Sequence, residues 1–173
     1  MADLLSQLEA EHRQVESWLE ELEQTEEPDE RLRLLGQVER ALGAHMRTEE
    51  SQVYPLIAEL DGEMATEANN EHALARELLV KVRDAAPDTP GFGGLVAALK
   101  GAIGHHVEDE EGEAFPKLRK QMRDRIPAAP GAPDTEGMTR DELYEKAKEL
   151  DITGRSSMSK DELAEAVAIA APN

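Results

Sequence analysis

The chain has 173 residues, 39% hydrophobic and 33% charged, enough for one domain with a real core plus a small appendage. Its formal net charge of −19 repels phosphate backbones and anionic lipid, which disfavours nucleic acid or a membrane as the main partner. With no cysteine it can form no disulfide, iron–sulfur cluster, thiolate zinc site or cysteine nucleophile, and with only 3% aromatics its core must come from Leu, Val and Ala, as in packed helices.

The N-terminus, Met1-Ala-Asp-Leu-Leu-Ser-Gln, shows neither a basic start nor an apolar run, so a cytoplasmic protein is expected. The first helix is expected over about Leu4 to Gln24, stopping near Glu27-Pro28-Asp29. A second spans about Glu30 to Leu60 and ends at Asp61-Gly62. A third covers about Ala65 to Ala85 and closes at Pro87-Asp88-Thr89-Pro90. The fourth follows Gly91-Phe92-Gly93-Gly94 and runs to about Arg125. Strand signals are absent, and short connections between long helices imply an up-down-up-down four-helix bundle over residues 1–125. A Pro/Gly-rich linker is expected at 126–137. A helix–turn–helix module then fills 138–173, with capping boxes at Thr139-x-x-Glu142 and Ser159-x-x-Glu162. Leu143, Ala147 and Leu150 of its first helix can pack on Leu163 and Val167 of its second.

Each bundle helix carries an apolar seam stepping by three or four residues, and each seam has a histidine where a leucine is expected. Helix one reads Leu8, His12, Val15, Leu19. Helix two reads Leu35, Val38, Leu42, His45, Glu49, Val53, Leu56, Leu60. Helix three reads Ala65, Ala68, His72, Ala75, Leu79. Helix four reads Leu95, Leu99, Ala102, His106, Glu110, Ala114, Leu118. Counting from the shared turns, with about 16 residues from the first turn to either His12 or His45, the heights differ by no more than roughly two helical turns. All six polar groups can share one interior layer.

A buried glutamate without a partner costs several kcal/mol, so it implies a cation. No Lys or Arg lies on the seams in that layer, which leaves metal. Six nitrogen and oxygen donors exceed the four that zinc prefers, so two ions bridged by Glu49 and Glu110, with two terminal histidines each, form the economical arrangement. Imidazole and carboxylate without sulfur suit iron or manganese and tolerate zinc.

His12, His45-x-x-x-Glu49, His72 and His106-x-x-x-Glu110 resemble the pattern of hemerythrin-like proteins with the HHE cation-binding domain. The flanks strengthen the likeness: His45-Met-Arg-Thr-Glu-Glu-Ser-Gln-Val-Tyr54-Pro55 and His106-Val-Glu-Asp-Glu-Glu-Gly-Glu-Ala-Phe115-Pro116 read as two copies of one element. The resemblance covers about 1–125 and implies a non-haem di-iron centre with those six residues as ligands. It departs from the oxygen carriers where they place a fifth histidine, since that position is Arg76. This puts reversible oxygen transport in doubt. Tyr54 stands where the second copy has Phe115, and a phenol can ligate or hydrogen-bond near ferric iron, so Tyr54 is a candidate ligand and catalytic residue. His105 points about 100° from His106 and is expected either to support a ligand from outside or to be exposed. Glu50, Glu108, Asp109 and Glu111 are expected on solvated faces, though one could orient a ligand histidine.

Residues 138–170 resemble the small N-terminal helical domain of transcription terminator Rho and SAP-like modules. The module sets Arg140, Lys146, Lys148, Arg155 and Lys160 against eight acidic residues, so only weak nucleic-acid affinity is expected of it. The leading expectation for the whole chain is a di-iron centre that reduces or dismutates a small oxidant: hydrogen peroxide first, then O2 or NO. The alternative is an iron or oxygen sensor or store that reports through the C-terminal module.

Overall fold

The computed structural model describes residues 3–129, 138–150, 152 and 155–170, and these are helical apart from short turns and one isolated bridge. The chain divides into two compact units: Glu11–Asp124, and Met1–Ala10 with Arg125–Asn173. Most of the expected linker, 130–137, lies outside the described residues.

Helix α1 covers Leu4–Gln24 and α2 covers Pro28–Thr48, with Pro28 in the first turn, where a missing N–H costs nothing. A π turn over Glu49–Val53 joins α2 to α3, Tyr54–Leu60. Helix α4 spans Gly62–Asp84, and its N-cap Asp61 accepts the Met64 N–H at 3.1 Å. Helix α5, Phe92–Asp109, runs through a second π turn, Glu110–Ala114, into α6, Phe115–Gln121. Thus four rods form the bundle, two of them interrupted at equivalent places.

The interruptions have a local cause. Pro55 and Pro116 have no N–H to donate and would crowd the carbonyl four residues back. The chain widens just before each proline. Tyr54 N–H donates to the Glu49 carbonyl and Phe115 N–H to that of Glu110, each five residues back. The extra residue rotates the seam by about 100°. The buried side chains beyond Glu49 are therefore Val53, Tyr54 and Ile57, whereas Leu56 and Leu60, expected in the seam, are only partly buried. On α5 the buried face is Val96, Leu99 and Ile103; Leu95 and Ala102 flank it.

Val15, Leu19 and Leu22 meet Leu34, Leu35, Val38, Leu42, Leu79, Val82, Val96 and Leu99 in one core, and Trp18 packs half-buried against it. Arg31 ties that end together, donating to the carbonyls of Thr25 and Pro87 and lying 5.1 Å over the Phe92 ring.

In the other unit, Leu4 N–H donates to Pro127 O at 2.9 Å. Helices α7, Arg140–Glu149, and α8, Lys160–Ala170, both begin with the reciprocal bonds of a capping box, at Thr139/Glu142 and Ser159/Glu162. Leu143, Ala147, Leu163 and Val167 form a core of their own, with Leu150 packed against it. No helix among the described residues is long and apolar enough to cross a membrane.

Candidate metal centre

His12 on α1, His45 on α2, His72 on α4 and His106 on α5 turn their imidazoles into one layer, with Glu49 and Glu110 opening the two π turns beside them. All six are buried, Glu49 completely and Glu110 to within 2%. The histidines form two pairs. His12 Nε2 lies 2.9 Å from His45 Nε2, and His72 Nε2 lies 3.2 Å from His106 Nε2.

Both glutamates reach between the pairs. Glu49 Oε2 is 3.1 Å from His45 Nε2 and 3.2 Å from His72 Nε2. Glu110 Oε2 is 3.5 Å from His12 Nε2 and 3.4 Å from His106 Nε2. His12, His45, Glu49, His106 and Glu110 each offer a ligand atom within 4.8 Å of the others, and His72 adjoins that group through His106.

The outer faces of the rings fix their protons. Each Nδ1 meets a carboxylate: His12 with Glu111 at 2.8 Å, and at 3.0 Å His45 with Glu11, His72 with Glu50, and His106 with Glu71. A carboxylate can only accept, so each Nδ1 carries the hydrogen, and in the neutral ring Nε2 presents a bare lone pair inward. With every ring neutral, four inward lone pairs would face four carboxylate oxygens that have no hydrogen-bond partner. Such a donor set repels itself without a cation at its middle, and the residues therefore fit a metal site.

The electrostatics agree. Burial opposes charging His45, but Glu49 and Glu11 outweigh it and push the imidazole up to about 9, so a proton is held where a cation fits. Burial and the neighbouring Glu49 hold the Glu110 carboxyl well above the usual range. Burial works the same way on Glu49, but His45 and the other histidines beside it win and hold it well below. Burial also pushes His106 down.

Tyr54 is buried, and its hydroxyl donates to His72 Nε2 at 2.8 Å. Burial, then Glu110 and Glu49, raise the phenol far above its ordinary value, so it keeps its proton while those carboxylates are unneutralised. Phe115, its counterpart, stacks on His12 at 6.1 Å between centroids. Arg76 lies outside the centre, where its guanidinium binds Glu50, the partner of His72. Arg13 likewise pairs with Glu111, the partner of His12. His105 is exposed.

Glu50 and Glu111, expected on solvated faces, instead orient His72 and His12. Glu11 and Glu71, which sequence reasoning did not single out, orient His45 and His106. The available signal was adjacency: Glu11-His12 and Glu71-His72, with Glu49-Glu50 and Glu110-Glu111. Glu108 is exposed.

Two spaces adjoin the centre. A void of about 10 Å³ lies against all four histidines and is closed by Val15, Leu42, Met46, Ala75 and Ile103. On the α1–α5 side a pocket of about 480 Å³ reaches His12 past Arg13, Lys100, Gly104 and Glu111.

A buried cluster of four histidines and two glutamates inside a four-helix bundle defines a metal-binding bundle protein. The description Hemerythrin HHE cation binding domain matches residues 3–118, and the chain belongs to that family. Residues 136–170 match the Rho termination factor N-terminal domain. The chain is also 30% identical, over 112 residues, to a protein of Nostoc sp. (strain PCC 7120 / SAG 25.82 / UTEX 2576) called DNA nickase; the match covers 64% of this chain and 32% of that one. The chain thus spans about a third of that relative's length. No solved structure gives a significant match.

Proposed function

We propose that residues 1–125 form a di-iron bundle that reduces or dismutates a small oxidant, hydrogen peroxide before O2 or NO, and that 138–173 is a separate module. The observation that carries this is the pair of buried glutamates, without hydrogen-bond partners, reaching between two histidine pairs. His12 and His45 would hold one ion, His72 and His106 the other, with Glu49 and Glu110 spanning both. Manganese or zinc also suits this donor set, but two irons supply the two-electron exchange that 2 H2O2 → 2 H2O + O2 requires.

The chain's own residues supply the rest. The four outer carboxylates keep the imidazoles in one tautomer and orientation. The small void beside the histidines has mostly apolar walls, which disfavour ordered bulk water next to the centre. Tyr54 Oη carries a proton at the His72 end and can give it to an oxygen atom reduced there. At the His12 end Phe115 offers none. The centre therefore has one proton-donating end, where Tyr54 either donates its proton or, once the carboxylates are neutralised, ligates. Arg76 in place of a fifth histidine favours turnover over reversible oxygen carriage.

The test is peroxide consumption with oxygen evolution by iron-loaded wild type, Tyr54→Phe and His106→Ala. Loss of turnover in both variants, with iron retained in Tyr54→Phe, is expected. Iron binding without turnover in the wild type would overturn the reading in favour of sensing or storage.

That second reading is favoured by the independent core of α7 and α8 and by the Rho-like match. The relative's name adds DNA cleavage to what should be assayed, against a net charge that keeps DNA away. Relaxation of a supercoiled plasmid by loaded protein would establish it.

A further inference from the structure

The two halves of the bundle repeat one another closely at the centre. Glu11-His12 corresponds to Glu71-His72, and His45, Glu49 and Glu50 to His106, Glu110 and Glu111. The correspondence extends along the seams, with Val15 matched by Ala75, Leu19 by Leu79, Val38 by Leu99 and Leu42 by Ile103. It breaks at many outward-facing positions, and one group of these adds acids and a histidine together in the second half. Where the first half has Gln7, Ala44, Thr48 and Gln52, the second has Glu67, His105, Asp109 and Glu113. The scaffold does not require these charges, because its own repeat does without them.

They gather around a groove of about 100 Å³ between α4 and the second π turn, lined by Glu67, Glu71, Asp109, Glu110 and Glu113. Beside it, Glu71, His105 and Asp109 bring three ligand atoms within 4.8 Å of one another. His105 Nε2 is 3.8 Å from Glu71, and its Nδ1 is 3.8 Å from Asp109. Glu71 faces both ways: Oε1 is turned to His105, while Oε2 holds the Nδ1 of the inner ligand His106. Glu110, 2% exposed and with neither oxygen hydrogen-bonded, also lines the groove. Lys117 pairs with Glu113 and Asp61. The groove thus runs from exposed ligands to a buried, unpartnered carboxylate of the centre.

We propose that this groove is the route by which divalent cations load the centre, captured first by Glu71, His105 and Asp109 and passed to Glu110. The proposal rests on the metal-centre reading. A cleft lined by one sign of charge raises the local concentration of counter-ions and their on-rate, and on a chain of net charge −19 the effect is focused where the carboxylates converge.

The test is stopped-flow uptake of Co2+ by the chelator-treated full chain, followed by visible absorption. The variant His105→Ala/Asp109→Asn/Glu113→Gln alters side chains that are 67%, 48% and 62% exposed, so its fold should be unaffected. The control Glu26→Gln/Glu27→Gln removes the same number of negative charges, two, beyond the far end of α1. The groove variant should load about tenfold or more slowly at low salt and to the same final amplitude, with a weaker salt dependence. The control should load at the wild-type rate. Equal rates in wild type and groove variant, or equal slowing by the control, would overturn the route and leave the centre intact. Failure of the wild type to take up Co2+ at all would sink the metal-centre reading with it.

Discussion

Replacing Glu110 with glutamine should stabilise the metal-free protein and weaken the metal-loaded one. Glu110 is buried, its oxygens lack partners, and its neighbour Glu49 is acidic. Burying an ionised carboxylate unpaired costs several kcal/mol, whereas an unsatisfied neutral amide of the same shape costs about 1–3 kcal/mol. The variant should therefore gain about 1–3 kcal/mol without metal at pH 8, or about 2–12 °C in Tm for a chain of this length. Because the carboxyl is raised above its unfolded value, the wild type loses stability as pH rises above that unfolded value, so the gain should shrink as pH falls toward it. With metal at 100 times Kd the wild type gains about 2.7 kcal/mol, most of which the variant should forgo. Fluorescence of Trp18, the only tryptophan, follows the bundle unit alone during thermal unfolding. Destabilisation of the metal-free variant, or an unchanged response to metal, would refute the reasoning.

Glu11→Gln, Glu50→Gln, Glu71→Gln and Glu111→Gln each replace the charged acceptor of one Nδ1–H with a neutral amide oxygen, and each should lower metal affinity, by up to about 10- to 100-fold by competition titration, whereas Glu108→Gln should not. Metal-free wild type should lose stability between pH 7 and pH 9.5. His45 is raised to about 9, so its contribution, complete below its unfolded value, disappears as pH rises through 9, and the raised Glu110 acts in the same direction. Metal affinity should rise over the same window, because binding displaces the His45 proton; parallel titrations of stability and affinity check both signs. Gly104 is a helical glycine on the large pocket with open space where a Cβ would stand. Gly104→Ala should stabilise by about 0.5–1 kcal/mol, and Gly104→Phe should slow peroxide turnover with metal content unchanged.

The four rods and the six inward groups were legible because a 3.6-residue period marks a seam and a polar residue on it stands out. His12 and His72, with unbroken helix on both sides, needed nothing more. The period misled beyond Glu49, where the π turn replaced Leu56 and Leu60 with Tyr54 and Ile57. Prolines at 55 and 116, each following an aromatic residue, carried the missing signal, since a helix must adjust before a residue without an N–H. The orienting carboxylates were harder to see. Glu11, Glu50, Glu71 and Glu111 flank the seam, where acids are ordinarily solvated, and only the ring of a neighbouring helix gives them a role. The acidic groove was not read from the sequence, because its carboxylates come together only where α4 packs beside the second π turn.

The central claim, that the buried histidines and glutamates hold two metal ions, is tested most directly by elemental analysis of the purified full chain beside Glu49→Gln/Glu110→Gln. About two ions per chain, iron foremost, should be found in the wild type and almost none in the variant, both remaining helical by circular dichroism. No metal in a folded wild type, or equal metal in both proteins, would contradict it.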